Sequence, residues 1–317
     1  MPSVLIAGGA GFVGSHLTDR YLRDGWDVLA IDNLSTGSHH NLAEARTHRG
    51  FEFLERDVTE LTGELRRCDL ILHFASPASP ADYARHPIET MRANSVGTER
   101  CIALALEWDA RLLFASTSEV YGDPHEHPQT ESYWGNVNPI GARAAYDESK
   151  RFGEALIAAS ARARGLDARI VRIFNTYGPR MRVEDGRVVP NFISQALRGS
   201  PLTVYGDGRQ TRSFCYVDDL VEGIVRCASC TAAAGRPVNL GNPEEHSIAD
   251  FARIVGSTAG VSVTTQAMPL PPDDPMRRRP DISLARALLD WSPRVSLELG
   301  LKATIDSMRT VPTGSGT

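Results

Sequence analysis

The chain has 317 residues, which at about 150 residues per domain corresponds to two domains or one large one. Hydrophobic residues make up 42% of the chain, but no apolar run approaches the ~20 residues of a transmembrane helix, and the N-terminal residues lack the pattern of a secretion signal. The net charge of −5 gives no electrostatic case for nucleic-acid binding.

The first half of the chain alternates short apolar runs with stretches of helical spacing. The apolar runs predict strands at 4–7, 28–31, 51–54, 70–75, 112–115 and 170–174. The intervening stretches predict helices at 12–22, 95–107 and 144–164. Apolar strands that alternate with amphipathic helices indicate a parallel sheet covered on both faces. Because the crossovers are right-handed, the predicted fold class is α/β, a doubly wound, Rossmann-like sheet.

Glycine and proline become frequent after residue 174, and the predicted elements become shorter. Late strands are expected at 238–240 and 261–265, and late helices at 249–254 and 282–289. These features predict a smaller α+β substrate-binding lobe over the carboxyl edge of the sheet, where ligands bind in open α/β folds. The expected division is a cofactor-binding Rossmann domain at 1–174 plus about 213–237, the lobe at about 175–212 plus 238–312, and a disordered tail at 313–317.

Three glycines follow the first predicted strand and open the first helix. Gly8, Gly11 and Gly14 permit a tight turn, a close approach of the backbone to a pyrophosphate, and close packing of helix on strand. The helix N-terminus then offers free N–H groups to the phosphates. The second strand leads into Asp32, 18 residues beyond Gly14, where a carboxylate accepts hydrogen bonds from ribose hydroxyls and repels a 2′-phosphate. The pattern predicts NAD rather than NADP.

Neighbouring positions complete the predicted cofactor site. Asp57 fits the adenine side of such a site, although it could equally be a helix cap. The other expected contacts are Phe12, Val13, Asn33, Val58 and Ala75.

Tyr146 and Lys150 are four residues apart in a predicted helix, so they lie one turn apart on one face. A free tyrosine, with a pKa of ~10, is a poor base at neutral pH. A nearby ammonium and the positive nicotinamide ring favour the phenolate and lower that pKa. Tyr146 and Lys150 are therefore the predicted catalytic pair and also contact the cofactor. Thr117, at the end of the fifth strand, is expected to bind the substrate hydroxyl beside Tyr146.

Several longer segments carry a resemblance to a known family. The segments are 73–80, 116–124, 135–138, 172–181, 185–189 and 204–208. On these residues the sequence resembles extended short-chain dehydrogenases/reductases that act on nucleotide sugars, over nearly the whole chain. Within that group it is similar to the UDP-glucuronate decarboxylases. The resemblance implies a tightly bound NAD and conversion of UDP-glucuronate to UDP-xylose through a 4-keto intermediate, with UDP-4-keto-pentose as a further product to consider.

Two positions favour decarboxylation over the related reactions. In the similar dTDP-glucose dehydratases, an aspartic acid at the position of Ser118 protonates a departing hydroxyl. A decarboxylase expels no hydroxyl, and a neutral serine does not repel the substrate carboxylate. Glu119 is absent at the matching position of the 4-epimerases, which need no chemistry at sugar carbon 5. The alternatives are a nucleotide-sugar 4,6-dehydratase or 4-epimerase, or a regulator that binds NAD(H) without turnover and needs neither Tyr146 nor Lys150.

The resemblance also implies the residues of the nucleotide-sugar site. It places Asn175 on the phosphate or sugar, and Arg187 and Val189 on a lid over the nucleotide. It places Thr203 and Tyr205 beside the uracil. It assigns the diphosphate to Arg212 and Arg278, whose guanidinium forks suit two phosphates, and gives Arg278 a second role near sugar carbon 5. For the substrate carboxylate, Ser79, Tyr83 and Ser118 remain equal candidates.

Partners and compartment follow from other features. The five cysteines are scattered and odd in number, which favours free thiols in a reducing cytoplasm. The segment His125-Glu126-His127 has no obvious third ligand, so no metal is expected. Related enzymes pair the helices at 95–107 and 144–164 across a two-fold axis, so a homodimer through a four-helix bundle is expected by analogy. No membrane partner is expected.

Overall fold

The computed structural model describes residues 1–269 and 277–310. In chain order its strands are β1 (Ser3–Ala7), β2 (Asp27–Asp32), β3 (Phe51–Glu55), β4 (Leu70–His73), β5 (Arg111–Thr117), β6 (Ala168–Ile173), β7 (Thr176–Tyr177), β8 (Leu202–Tyr205), β9 (Thr211–Ser213), β10 (Cys215–Tyr216), β11 (Pro237–Leu240), β12 (Glu245–Ser247), β13 (Thr265–Met268) and β14 (Arg277–Arg278). The helices are α1 (Phe12–Arg23), α2 (Pro80–Arg85), α3 (Pro87–Trp108), α4 (Ala144–Arg164), α5 (Val188–Leu197), α6 (Val217–Ser229), α7 (Ile248–Ala259), α8 (Ser283–Leu289) and α9 (Leu297–Thr310).

Seven parallel strands form the central sheet, in the order β11-β6-β5-β4-β1-β2-β3. The strand order reverses beside β1, because β2 pairs on one side of it and β4 on the other. Such a reversal leaves a crevice at the carboxyl ends of the strands. The predicted α/β, doubly wound, Rossmann-like fold class is confirmed.

The alternation of side chains along β1 shows how the sheet is covered. Val4 and Ile6 pack into the core layer that contains residues of α1 and α6, whereas Leu5 and Ala7 pack into the layer on the opposite face. All four side chains are fully buried. Since successive residues of a strand point to opposite faces, a continuous apolar run is what a sheet covered on both sides requires.

A smaller lobe lies beyond the carboxyl edge. Its helices α5, α7 and α9 pack together around an apolar cluster that includes Phe192, Phe251 and Leu301. Beside them, β8 pairs with β13, and β9 pairs with both β12 and β14. These short strands bring Arg212 and Arg278 into register on neighbouring strands.

The structure corrects the positions of some predicted elements. The strand expected at 261–265 is wrong, because β13 runs over Thr265–Met268, where it pairs with β8. Val263 instead packs against Gly256 near the end of α7, so the apolar pattern there reflects helix packing. The strand expected at 70–75 ends at His73. Helix α3 begins at Pro87, earlier than predicted.

The predicted lobe boundary also needs redrawing. Strand β11 belongs to the central sheet, and Ile282, Leu289 and Trp291 pack into the core beneath that sheet. These residues contact the sheet, whereas the sequence predicts the lobe for 238–312. The tail expected at 313–317 lies outside the described residues. Among the helices of the described ranges, none is both long enough and apolar enough to cross a bilayer.

Candidate active site

A cleft of about 580 Å³ lies between the carboxyl edge of the sheet and the smaller lobe. Every predicted site residue lines it. On the cofactor side these are Gly8, Gly11, Phe12, Val13, Gly14, Asp32, Asn33, Asp57, Val58, Ala75, Tyr146 and Lys150. The others are Ser79, Tyr83, Thr117, Ser118, Glu119, Asn175, Arg187, Val189, Thr203, Tyr205, Arg212 and Arg278.

The glycine turn has the geometry of an anion cradle. Gly8 has a φ of +84°, and a Cβ there would lie 2.6 Å from the backbone of Phe74. A Cβ on Gly14 would lie 1.9 Å from the carbonyl oxygen of Gly8. Gly11 begins α1 without a side-chain cap, so the first N–H groups of the helix have no side-chain acceptor there. The backbone therefore approaches the cleft closely and fits a pyrophosphate.

Asp32 is 8% exposed and lies at the end of β2. Its carboxylate accepts hydrogen bonds from the backbone N–H groups of Ala10, at 3.0 Å, and Leu34, at 2.8 Å. Burial raises its pKa, and these backbone hydrogen bonds oppose that shift. The contacts fix a carboxylate at the place where an adenosine ribose would lie in such a fold.

Asp57 has the capping role that the sequence left open. Its side chain accepts a hydrogen bond from the backbone N–H of Thr59 at 2.8 Å, at the start of a short 3-10 helix. It also accepts one from the side chain of Asn33 at 2.7 Å. Capping does not remove Asp57 from the cleft lining, and its contact with the adenine side of a cofactor stays a prediction.

Tyr146 and Lys150 lie deep in the cleft on α4, 6% and 3% exposed. Lys150 Nζ donates to the carbonyl oxygen of Ala115 at 2.7 Å and lies 5.8 Å from the centre of the Tyr146 ring. Burial lowers the pKa of Lys150 to about 7, although the charge of Glu154 opposes this change.

The Tyr146 hydroxyl has a different set of neighbours from the one expected. Burial raises its pKa, a hydrogen bond with Thr117 lowers it, and the charge of Glu119 raises it. In the protein alone, burial therefore raises the pKa of Tyr146, in place of the lowering expected from Lys150. The positive charge of a nicotinamide ring would act in the lowering direction.

Glu119 is held between two arginines. Its Oε1 lies 2.5 Å from Arg278 Nη1, and its Oε2 accepts from Arg143 Nη2 at 2.5 Å. Burial raises the pKa of Glu119, but the charges of Arg278 and Arg143 outweigh it and hold the pKa at about 2. Arg278 also donates to the Ser118 hydroxyl at 3.3 Å. The site thus presents an ionised carboxylate beside a neutral serine.

Tyr83 stacks on Tyr146, with ring centroids 5.0 Å apart and planes inclined by 7°. Its hydroxyl is buried and has no hydrogen-bond partner among the described residues. Ser79, by contrast, is engaged as the N-cap of α2 and donates to the Asp82 carboxylate at 2.8 Å. Of the three candidates for the substrate carboxylate, Tyr83 has the hydroxyl without a hydrogen-bond partner among the described residues, whereas the Ser118 hydroxyl accepts from Arg278 and the Ser79 hydroxyl donates to Asp82.

The nucleotide-sugar residues differ in how firmly they are held. Arg187 makes a two-pronged ion pair with Asp185, through Nε at 2.5 Å and Nη2 at 2.8 Å. Thr203 is held by the side chain of Gln195 at 3.0 Å. Tyr205 is 40% exposed at the lobe end of the cleft.

The segment His125-Glu126-His127 lies away from the cleft lining. His127 Nε2 is 2.9 Å from a carboxylate oxygen of Glu245. That carboxylate also accepts a hydrogen bond from Thr211 at 2.6 Å. The histidine therefore belongs to a contact between the loop and the β9–β12 pair.

Sequence reasoning missed several residues of the site. Arg143, three residues before Tyr146, holds Glu119. Asp82 and Arg182, which both line the cleft, form an ion pair. Glu154 accepts a hydrogen bond from Ser116 at 2.5 Å and a two-pronged one from Arg172, at 2.9 and 2.7 Å. The only local signal was the position of Glu154, one helical turn after Lys150.

Comparisons with known proteins agree with this geometry. The pattern of the NAD dependent epimerase/dehydratase family matches residues 4–241. The chain is 52% identical over 311 residues to UDP-glucuronic acid decarboxylase 1 of Xenopus tropicalis, covering 96% of this chain and 72% of that protein. It is 49% identical over 306 residues to UDP-glucuronic acid decarboxylase 2 of Arabidopsis thaliana, covering 96% and 68%.

Solved structures are similar at lower identity. UDP-glucuronic acid 4-epimerase from Bacillus cereus, in complex with UDP-glucuronic acid and NAD, has a TM-score of 0.89 and 28% identity, covering 98% of this chain and 100% of that one. A dTDP-glucose 4,6-dehydratase from Streptomyces venezuelae, with NAD bound, also has a TM-score of 0.89 and 28% identity, covering 98% and 97%.

Proposed function

The chain belongs to the NAD-dependent epimerase/dehydratase family, and we propose that it decarboxylates UDP-glucuronate through a 4-keto intermediate to UDP-xylose, with release of some UDP-4-keto-pentose. The observation that carries this choice is the sequence identity of 49–52% to UDP-glucuronic acid decarboxylases over 96% of this chain. The cluster of Ser118, Glu119 and Arg278 in the cleft supports it.

The cofactor site fits NAD. The backbone at Gly8 and Gly14 leaves no room for a Cβ, and Asp32 presents a carboxylate that a 2′-phosphate would meet unfavourably. When bound, NAD would supply reversible hydride transfer at sugar carbon 4. The glycine turn, Asp32 and the Asn33–Asp57 pair would hold it, with Lys150 on the nicotinamide ribose side.

The proposed chemistry uses Tyr146 as the acid and base at the sugar 4-hydroxyl. Tyr146 reacts as the phenolate, which Lys150 stabilises by its charge, and it becomes a neutral phenol when it accepts the hydroxyl proton. Once the carboxylate β to the new ketone leaves as carbon dioxide, Thr117 and the protonated Tyr146 donate hydrogen bonds to the enolate oxygen. Support comes from the hydrogen bond between Thr117 and Tyr146 and from their burial in the cleft.

At sugar carbon 5, Glu119 and Arg278 are the proposed catalytic groups. An ionised Glu119 with a pKa of about 2 is a poor acid, so its proposed role is to orient a water molecule that protonates carbon 5. Ser118 and the free hydroxyl of Tyr83 are the proposed donors to the substrate carboxylate. Ser79 is the weaker candidate, since its hydroxyl caps α2.

The remaining substrate contacts are proposed from their place in the cleft. Asn175, Arg187 and Val189 are assigned to the phosphate and lid, and Thr203 and Tyr205 to the uracil. Arg212 and Arg278 are assigned to the diphosphate. The chain would then divide into an NAD-binding sheet domain and a nucleotide-sugar lobe, with β11 and residues 282–291 counted with the sheet.

We also propose a homodimer formed by α3 and α4, in the cytoplasm. These helices pack against each other and carry exposed apolar side chains, Ile88 at 62%, Met91 at 43% and Phe152 at 51% exposed. A second copy would cover such a face. All five cysteines are free thiols, as a reducing compartment favours.

The related dehydratase and 4-epimerase reactions are the alternatives, and one experiment separates them. The purified chain is incubated with UDP-glucuronate, and nucleotide products are resolved by mass with and without added NAD. UDP-xylose and carbon dioxide are the expected products. A product that keeps all six sugar carbons, or unchanged substrate, rejects the proposal.

A further inference from the structure

A ten-residue segment, 178–187, borders the cleft between α1 and α2, and we call it the strap. At its first end it is tied to α1. His16 Nε2 lies 3.1 Å from the carbonyl oxygen of Pro179, and Arg180 Nη2 lies 2.6 Å from the Asp19 carboxylate. The strap thus starts beside the helix whose N-terminus forms the pyrophosphate cradle.

At its other end the strap is tied to α2. Arg182 forms an ion pair with Asp82, whose side chain is 8% exposed. Gly186 approaches α2 so closely that a Cβ there would lie 3.1 Å from the Cβ of Ala81. The strap therefore approaches α2 at two points, and Arg182 forms the ion pair, while the charge of Arg187 also acts on Asp82.

Asp82 links the strap to the cap of α2. Its carboxylate accepts from the Ser79 hydroxyl at 2.8 Å, and its backbone N–H donates to the same hydroxyl at 3.2 Å. Because α2 has only six residues, its position depends on such contacts more than on its own helical stability. One residue after Asp82 comes Tyr83, which stacks on Tyr146. The strap is thus connected through Asp82 to the tyrosine at the reacting centre.

We propose that Asp82 and Arg182 form a latch that keeps the cleft closed over the oxidised sugar, and so decides whether the 4-keto pentose is reduced or released. This inference rests on the proposed function. Asp82 is a positioning residue, since it acts through α2 and Tyr83. Opening of a closed site lets intermediates and cofactor escape, which a contact between the two walls opposes.

The two outcomes of the reaction balance as follows. With the cleft closed, UDP-glucuronate and one proton give UDP-xylose and carbon dioxide, and NAD is regenerated. With the cleft open, UDP-glucuronate and NAD give UDP-4-keto-pentose, carbon dioxide and NADH. Each release event therefore consumes one NAD, which makes the open pathway measurable.

The test compares Asp82→Asn, Arg182→Gln and the double variant with the unchanged chain. Asp82→Asn keeps the shape of the side chain that pairs with Arg182 and removes its charge. The chain offers a matched control, Asp250→Asn, because Asp250 also accepts from its N-cap serine, Ser247, and also pairs with an arginine, Arg253. That site lies on α7, and its side chains do not line the cleft.

Two measurements are made on each protein: the ratio of UDP-4-keto-pentose to UDP-xylose, and the NAD retained per chain after gel filtration. Each latch variant is expected to raise the released fraction by about fivefold and to lose NAD faster, with the double variant no worse than either single one. The control is expected to match the unchanged chain.

Unaltered product ratios and NAD retention in both single variants would overturn the latch. So would an Arg182→Gln defect far larger than that of Asp82→Asn, because Arg182 would then act on the substrate itself. If the unchanged chain forms no pentose, the proposed function is wrong, and NAD retention alone still decides whether the latch exists.

Discussion

Glu119 Oε1 lies 2.5 Å from Nη1 of Arg278, which joins the end of β5 to the short strand β14. The two residues are 159 positions apart in the chain, and Arg278 is 1% exposed. A buried arginine needs such a partner, because an uncompensated charge in the protein interior is costly. The pair therefore serves the stability of the site as well as its chemistry.

Replacing Glu119 with glutamine is expected to lower kcat at least about 100-fold and to destabilise the fold by about 3 kcal/mol at neutral pH. Since the pKa of Glu119 is lowered from 4.5 to about 2, its stabilising contribution is present above about pH 4.5 and is lost as the pH falls towards 2. Denaturant titrations of both proteins across this range measure it. A stability gap that stays constant down to pH 2 would contradict the assignment.

Replacing Tyr146 with phenylalanine removes the proposed acid and base while leaving a ring to stack on Tyr83. Turnover of UDP-glucuronate is expected to fall by about 10³-fold or more, with NAD still bound. Product analysis and the NAD content of the purified variant provide the measurement. Tyr21→Phe, in the buried core of α1, is the control. Near-normal turnover in the Tyr146 variant would refute its role.

The buried Lys150 ammonium is expected to lower the free energy of unfolding at neutral pH. Burial lowers its pKa from 10.5 to about 7, so the unfolded chain binds more protons between these values, and the native state loses stability as the pH falls from 10.5 to 7. Lys150→Met should therefore be inactive yet more stable at pH 7, on the order of 2 kcal/mol, with the gain vanishing towards pH 10.5.

The chain contains a single other lysine, Lys302, which is exposed on α9 and gives a matched control. Lys302→Met is expected to leave stability unchanged across the same pH range. Denaturant unfolding at several pH values distinguishes the two. If Lys150→Met is less stable than the unchanged chain at every pH, then burial of the Lys150 ammonium does not destabilise the native state.

Asp32→Asn tests the choice between cofactors. Ala10 and Leu34 donate to different oxygens of Asp32, so the single amide oxygen can accept only one of these hydrogen bonds, and the stability of the variant is measured alongside its affinity. Without the negative charge, the affinity for NADP relative to NAD is expected to rise by about 10-fold or more. Fluorescence titrations with both dinucleotides measure the ratio. An unchanged preference for NAD would show that another group excludes the 2′-phosphate.

The proposed dimer is tested at Phe152, which is 51% exposed on α4. Phe152→Glu places a charge in the centre of the proposed interface and is expected to shift the protein from dimer to monomer. Leu299→Glu on α9, at a position 62% exposed, is the control. Sedimentation analysis gives the masses. A monomeric unchanged chain, or a dimeric Phe152→Glu variant, would contradict the proposal.

The cofactor half of the site was predictable because its signals are local. The glycine turn and Asp32 lie within one β-α-β segment, and Tyr146 and Lys150 lie on one helical turn. Their chemistry therefore follows from short spacings that a sequence displays directly.

The rest of the site depends on contacts between distant segments. Asp82 meets Arg182 over a separation of 100 positions, and Glu119 meets Arg278 over a longer one. The family resemblance predicts Glu119 and Arg278 as site residues, but spacing along the chain does not show which charged residues pair, because only the packing of the lobe on the sheet brings them together. The misplaced strand at 261–265 has the same origin, since pairing with β8 selects Thr265–Met268.

Arg278 and Arg212 are paired in register on β14 and β9, so the arginine that holds the Glu119 carboxylate lies directly beside the other proposed diphosphate contact. An anchor at the nucleotide end would thereby steady the reacting end of the sugar. Free glucuronate has the carboxylate but lacks the UDP group. We therefore expect it to be turned over slowly even at saturation, because no binding energy from the nucleotide would help to orient the bond that breaks.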